Sequence, residues 1–408
     1  NATDIPDLSN VTDMSYMFKN AVSINSPTIS NWDVSNVTNM EGLFDNADSF
    51  NQPLNNWDVS NVTNMSRLFR DSNFNQSINS WDVSNVTNMQ YMFESINFNQ
   101  PLENWDVSNV TNMNRMFFNS AYNQPLNNWD VSSVMNMDNM FRASDFNQPI
   151  GSWNVSNVTD MSGMFYGSSF NKPLNDWDVS SVTTMTNMFN STNFNQPINN
   201  WNVSNVIHMS YMFYNSDFNQ PLNNWNVSNV NSMRFMFTNT NFNQPLNNWD
   251  VSNVGLMTGM FKSNDSFNQP INDWDVSNVG KMAEMFKNST FNQPLNNWDV
   301  SNVNNMKEMF KNSTFNQPLN NWDTSNVVYP FNEGYQGMFA NSNFNQDLSS
   351  WTFTVNNFFD FNLYDFIQNS AMDSQNYDLL LGRFVELGLE NGNLDADGIA
   401  YCDVFTRQ

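Results

Sequence analysis

Large apolar residues return along this chain at a fixed interval. Tryptophan sets the interval, with ten gaps of 24 residues and two of 25 between successive copies. Counted from Trp as position 1, the repeat reads W-D-V-S-N-V-T-N-M-x-x-M-F-x-x-S-x-F-N-Q-P-L-N-N. A unit this short buries few side chains by itself, so the pattern predicts a solenoid of stacked copies. The tryptophans that begin the copies are Trp32, Trp57, Trp81, Trp105, Trp129, Trp153, Trp177, Trp201, Trp225, Trp249, Trp274, Trp298 and Trp322.

Two shorter periods lie inside each repeat. In the copy at 57–80, apolar and polar residues alternate over 57–60, which is typical of a short strand. Apolar side chains then recur at i, i+3 and i+4 over 65–72, which is typical of one face of a short helix. Proline does not continue a helix, so the Phe-Asn-Gln-Pro stretch of most copies predicts a return loop. Each repeat is therefore predicted to run strand, turn, short helix, loop.

These elements predict an α/β solenoid of about fourteen repeats over residues 1–351, right-handed by the usual rule for parallel crossovers. Short parallel strands would form one face and short helices the opposite face. The pattern fails over 352–408, which we expect to cap the last repeat, with a phenylalanine-rich stretch at 358–366 and a longer helix at 377–389. Added residues near Asp48 and Asp265, and an insertion at 328–334, predict loops.

The charge balance narrows the range of partners. The chain carries 39 acidic and 14 basic residues and a formal charge of −25. This charge repels phosphate backbones and anionic lipid, so we expect neither nucleic-acid binding nor membrane insertion. Cys402 is the only cysteine, which excludes an intrachain disulfide.

Residues able to support catalysis are scarce. His208 is the only histidine and stands at position 8, where other copies carry Asn, Asp, Thr, Ser, Leu or Lys. A position that accepts so many side chains is exposed and imposes few constraints. The sequence contains neither a glycine-rich phosphate loop nor zinc-ligand spacing. We therefore predict a protein without enzymatic activity.

One stretch of the repeat carries a family resemblance. Residues 61–72, Asn-Val-Thr-Asn-Met-x-x-Leu-Phe-x-x-Ser, resemble the repeat of the BspA-like leucine-rich-repeat surface proteins. More narrowly, they resemble a bacterial branch of unknown function that is rich in W-D-V-S-N-V-T-N-M. The resemblance covers about residues 5–351 and extends to 377–382 and 401–402, which are similar to the segment that closes such arrays. It implies a leucine-rich-repeat fold in a secreted or cell-surface protein linked to adhesion.

The acidic residue at position 2 is the first candidate site. The predicted strands would bring these carboxylates into a column on the exposed strand face, where neighbours about 4.8 Å apart repel and make ionisation harder. Three interpretations follow: a ladder of calcium sites, a ligand-facing stripe, or structural hydrogen-bond acceptors, which the Asn at position 2 in some copies favours. Serine at position 4 is expected to bond the backbone of a neighbouring rung. The candidate residues are Asp58, Asp82, Asp106, Asp130, Asp178, Asp250, Asp275 and Asp299.

The second candidate site is the predicted helical face, where positions 10, 11, 14, 15 and 17 vary between copies. Its exposed aromatic residues include Tyr91, Tyr166, Tyr211 and Tyr214. Such rings could stack on sugars or on a partner protein, although freedom from packing also explains the variation. The sequence thus predicts an extracellular adhesion or protein- and glycan-binding scaffold. The alternatives are a structural spacer or self-assembling fibre and, because Thr recurs at position 7, an ice-binding surface.

Overall fold

A computed structural model gives the fold and describes residues 5–327, 334–353, 363–389, 394 and 396–399. The chain divides into two compact units, Asn1–Asn205 and Val206–Gln408. Each unit is a stack of similar rungs, one rung for each repeat. The insertion at 328–334 and the stretch at 358–366 lie largely outside the described residues, and Cys402 lies wholly outside them.

Neighbouring rungs pair in parallel through a single residue each, at position 8. The pairing runs from Asp13 to Thr184 in the first unit and from His208 to Asn305 in the second. The solenoid predicted from the repeat period is therefore confirmed within each unit. The strand predicted at 57–60 is wrong, because these residues enter a turn in which Val62 N donates to Val59 O at 2.9 Å. The parallel contact lies instead at Asn64, further along the rung.

The segment predicted as a helix is a series of tandem turns. The backbone N–H groups of residues 68, 70 and 72 each donate to the carbonyl three residues earlier, at 3.2 Å. Residues separated by three therefore share a side, as they do on a helix, which explains why the apolar spacing over 65–72 misleads. Among the described residues, the helices are the 3-10 helix Pro27–Asn31 and α1, Ser374–Glu386.

Left-handed residues prevent the turns from winding into a helix. Positions 11 and 15 have φ between 50° and 66° in successive rungs, for example 56° at Arg67 and 52° at Asp71. An α-helix requires φ near −63° at every residue. The reversal directs alternate N–H groups along the stack, so that Arg67 N donates to Gln90 O and Asp71 N to Glu94 O, both at 2.9 Å. The ladder between rungs thus satisfies backbone groups that a helix would satisfy internally.

The apolar side chains of the repeat form continuous columns inside each stack. Phe93 lies between its counterparts in the adjacent rungs, with ring centroids 6.0 Å from Phe69 and 5.5 Å from Phe117. Trp81 is 3% exposed, and its indole Nε1 donates to Leu54 O at 2.8 Å. Burial of each such side chain contributes roughly 1.5–3 kcal/mol, so a rung gains its stability from its neighbours.

Helix α1 packs against the last tryptophan-containing rung. It begins three residues before the predicted start at 377, because Asp373 caps it by accepting from Asn376 N at 2.9 Å. The Phe384 ring meets Phe353 edge-on with centroids 5.0 Å apart, and Arg383 Nε donates to Trp351 O at 2.9 Å. No helix in the described part of the chain is long and apolar enough to cross a membrane.

Candidate binding surfaces

The position-2 carboxylates are acceptors in a local turn. Asp58 Oδ1 accepts from Ser60 N at 3.1 Å and from Ser60 Oγ at 2.6 Å. Asn154 makes the same bond with Ser156 N at 3.2 Å, so either acid or amide suits the turn. The other candidates that accept in this way from the Ser two residues later are Asp82, Asp106, Asp130, Asp178, Asp250, Asp275 and Asp299.

This turn moves the carboxylate pKa in the direction opposite to the one expected from repulsion. The hydroxyl of Ser84 and then its backbone N–H hold the pKa of Asp82 below its usual value. The matching serines lower the pKa of Asp130, Asp178 and Asp275 in the same way. The expectation of harder ionisation is therefore wrong for these residues, because the serine donors lower the pKa by more than burial raises it.

The hydroxyls of Ser35, Ser60, Ser84 and Ser252 at position 4 bond within their own rungs, not between rungs as predicted. The hydroxyl of Ser60 binds Asp58 in its own rung. The bond between rungs uses the backbone carbonyl of Ser60, which accepts from Asn85 Nδ2 at 2.7 Å. Positions 2 and 4 thus close the turn within a rung, and the Asn at position 5 links that turn to the next rung. Among the described residues, no group of three or more His, Cys, Asp or Glu side chains could hold a metal ion, so calcium binding stays a prediction.

Four of the five variable positions of the second candidate site, 10, 11, 14 and 15, lie on one segment of the rung. We call the exposed side of positions 8–15 the turn face, and position 17 follows it. In the first unit the side chains of the turn face stack between rungs. The Tyr91 ring lies between the guanidinium groups of Arg67 and Arg115, at 4.6 and 5.6 Å from their central carbons. The row continues through Phe118 and Arg142 to Tyr166, whose centroid is 4.3 Å from the Arg142 guanidinium. Since these two arginines flank Tyr91, its ring faces are not free platforms for a sugar.

Arginines of the first unit also pair with carboxylates in adjacent rungs. Arg70 Nε contacts Asp45 Oδ1 at 2.9 Å, and the Asp45 side chain is fully buried. Arg67 binds Glu41 at 2.9 Å. These pairs were missed by sequence reasoning because the partners lie 25 or 26 residues apart. The available signal was the opposite charge of Asp45 and Arg70, which both occupy position 14.

In the second unit, three aromatic side chains form a cluster on the turn face. The Tyr211 ring is 5.8 Å from Tyr214 in the same rung and stacks on Phe235 of the next rung at 5.0 Å. We call these three residues the aromatic cluster. Ile207, at position 7 of the same rung as Tyr211, is 41% exposed. His208 is exposed as expected, with Nδ1 3.0 Å from Asn231 Oδ1.

Lysines continue the turn face beyond the aromatic cluster. Lys262, Lys287 and Lys311 occupy position 14 of three consecutive rungs and form the lysine column. Glu284 bridges the first two lysines, and Glu308 bridges the last two, with Lys311 Nζ 2.7 Å from Glu308 Oε1. Burial acts to raise the pKa of Glu308, but hydrogen bonds from Lys287 and Lys311 outweigh it and hold the pKa below its usual value. Each of the two carboxylates therefore forms ion pairs that connect neighbouring lysines of the column.

Comparison with known proteins identifies the repeat. The profile of the family described as "Mycoplasma protein of unknown function, DUF285" matches eight overlapping segments: 1–97, 53–144, 72–171, 94–193, 142–242, 168–270, 215–314 and 257–373. No curated protein sequence matches the chain. A solved structure titled "Crystal structure of PEPR1-AtPEP1" is similar with a TM-score of 0.45 and 10% identity, over 90% of this chain and 52% of that one. This chain thus spans about half the length of that neighbour.

Proposed function

We propose, on the premise that this chain belongs to the family of Mycoplasma proteins of unknown function DUF285, that it is a non-catalytic binding scaffold displayed at a cell surface. The ligand would contact the turn face. The observation that carries this proposal is the contrast between a buried frame that repeats and an exposed face that does not. The resemblance to BspA-like surface proteins suggests adhesion to a protein or glycan as the form of binding.

The contrast is visible within a single rung. Met209 and Phe213 are fully buried, like their counterparts in neighbouring rungs, and they hold the backbone ladder in place. Tyr211 and Tyr214 lie between and after them on the same segment but reach the surface. A surface side chain can therefore change without disturbing the frame. Because folding already fixes the backbone, binding a ligand requires little further loss of conformational entropy in the protein.

Three aromatic departures from the repeat meet on the turn face of two adjacent rungs. The rungs that begin at Trp201 and Trp225 contribute all three residues of the aromatic cluster, where the repeat shows no aromatic preference. Aromatic residues dominate the binding energy of many interfaces. A spacer has no need for such a cluster, so it favours recognition.

The test is capture on arrays of glycans and extracellular proteins by the full chain. The test variant replaces Tyr211, Tyr214 and Phe235 with Asn, which other rungs carry at positions 11 and 14. We expect at least one ligand class to be captured by the wild-type chain and lost by the folded variant. Capture that is unaffected by this variant and by lysine-column variants would exclude the turn face as the binding surface.

A structural spacer or self-assembling fibre is the second candidate, and the near-identity of the buried frame from rung to rung favours it. Sedimentation over a wide concentration range tests this candidate: association that grows with concentration supports a fibre, and a concentration-independent monomer excludes one.

A further inference from the structure

We infer that the turn face of the second unit binds a linear anionic polysaccharide, one that carries carboxylates along its length. This inference rests on the proposed binding function and names the class of ligand for one part of the same face. Its surface extends from the aromatic cluster, over residues 211–235, along the lysine column to Lys311.

The first observation is a local reversal of charge. On the turn face of five rungs, from His208 to Asn312, six side chains are basic and two are acidic. The whole chain has 14 basic and 39 acidic residues, so this surface has the opposite sign to the protein. On the same face of the first unit, from Asp13 to Ser191, five side chains are basic and seven are acidic. An anion is therefore attracted to the second unit's face and not to the first's.

The second observation is the order of the cations. Lys262, Lys287 and Lys311 stand one rung apart, at a spacing of about 4.8 Å for paired backbones. Lys281 at position 8 is exposed, and Lys307 is at position 10. Cations are thus placed in each of the three rungs that begin at Trp249, Trp274 and Trp298, on more than one line. A straight polymer with regularly repeated charges matches this order better than the irregular surface of a folded acidic protein.

The carboxylates near this surface do not cancel it. Glu284 and Glu308 lie within it and each contact two lysines, which fixes the lysine side chains at their spacing. Asp275 and Asp299 lie earlier in their rungs, in the turns closed by Ser277 and Ser301. Asp217 and Asp265 follow the turn face in their rungs and are exposed. With these two included, six basic side chains face four acidic ones, so a surplus of positive charge remains.

The aromatic cluster supplies the uncharged part of the contact. Tyr211 and Tyr214 are partly exposed and tilted by 56° to one another. Unlike the Tyr91 ring, which lies between two arginines, the Tyr211 ring stacks on Phe235. Sugar rings present C–H groups that pack on aromatic side chains, and tyrosine hydroxyls can bond sugar hydroxyls. Apolar stacking at one end and cations along the remainder suit a chain of acidic sugars.

The test measures binding of the full chain to polygalacturonate, with its methyl ester as the uncharged control. The variants are Lys281→Gln combined with Lys307→Gln, and separately Tyr211→Ala. Lys172→Gln, which removes a charge from the return loop of the first unit, is the matched control. We expect the double variant to weaken binding about tenfold or more, since each surface charge contact is worth several-fold in affinity, and Tyr211→Ala to weaken it several-fold. Lys172→Gln should have no effect, and added salt should weaken binding.

Several outcomes would overturn the inference. Equal binding of acid and ester, unchanged binding by the double variant, or tighter binding of polyglutamate than of polygalacturonate would each do so, the last by favouring an acidic protein. Absence of polygalacturonate binding alongside array capture of another ligand at the turn face would sink this inference but leave the proposed function standing. Absence of capture on every array would remove both. Thermal unfolding of each variant confirms that a loss of binding is not a loss of fold.

Discussion

The edge of the Phe235 ring fills the space that a β-carbon would occupy at Gly259, its counterpart at position 11 of the next rung. A β-carbon at Gly259 would collide with the ring, and φ at this glycine is +62°. Gly42 has the same relationship with the ring of Tyr16. Side chains at position 11 therefore lean toward the following rung, which explains how surface residues 24 or 25 apart come into contact.

Replacement of Gly259 by Ala is expected to destabilise the protein by more than the cost of placing an alanine in a left-handed backbone conformation. The left-handed backbone costs an alanine about 1–2 kcal/mol, and the contact with Phe235 adds to this cost. Gly167 is the control, because its φ is +66° and a β-carbon there meets nothing within 4 Å. Urea unfolding should show a larger loss for Gly259→Ala than for Gly167→Ala. The difference should vanish when Phe235 is also Ala, and its persistence would rule out the ring as the cause.

Replacement of Ala143 by Gly is expected to stabilise the protein. Ala143 occupies position 15 with φ of 53°, a conformation that costs an alanine and not a glycine. Ala143→Gly is expected to raise the free energy of unfolding by about 0.5–1 kcal/mol. Ala121, which lacks a positive φ, supplies the contrast, because Ala121→Gly should destabilise. If both substitutions lower the thermal midpoint, the left-handed turns do not carry the strain described.

The position-2 turn predicts a specific order of substitutions. Asp82→Ala removes the acceptor for Ser84 and should cost about 1 kcal/mol, the typical net value of a hydrogen bond. Asp82→Asn should cost much less, because Asn154, Asn202 and Asn226 accept from serine in the same way in other rungs. Chemical denaturation measures both variants. Equal losses would instead implicate the charge, as expected if the column binds calcium.

Acid should weaken the fold through the same turns. Hydrogen bonds from serine lower the folded-state pKa of Asp82, Asp130 and Asp178. A depressed folded-state pKa gives stability that is present above the unfolded value of about 3.9 and is lost as pH falls through the folded value. The urea concentration at the unfolding midpoint should therefore decrease as the pH is lowered below about 4. A variant with Asn at all three positions should lose less over that range, and an identical pH profile would assign acid unfolding to other groups.

The period and the core were predictable because burial repeats with the sequence. Trp81 and Phe93 occupy positions that are apolar in nearly every copy, and both are buried. The local backbone was predicted wrongly, because tandem turns place residues 65, 68 and 69 on one side just as a helix does. A signal against a helix was present, because position 15 is asparagine in many copies, such as Asn46 and Asn119, and position 11 is glycine in several, such as Gly163.

The candidate sites were only partly accessible to sequence reasoning. Tyr211 and Tyr214 could be found as exposed aromatics from their positions in the repeat, and the structure places them together. The arginine contacts of Tyr91 could not be found, because they depend on how far side chains lean between rungs. The presence of Asn at position 2 in some copies indicated that Asp58 could be a structural acceptor. The lowered pKa of related residues such as Asp82 could not be predicted, because it depends on where the serine donors lie.

The most direct test of the division between frame and face is one variant measured in two ways. Tyr211, Tyr214, Phe235, Lys281 and Lys307 are replaced together by Asn, a residue found at each of these positions in other rungs. Thermal unfolding and array binding are then compared with the wild-type chain. We expect a melting temperature within a few degrees of wild type and loss of the ligands captured by the second unit. A folded variant that retains those ligands, or a collapse of the melting temperature, would contradict it.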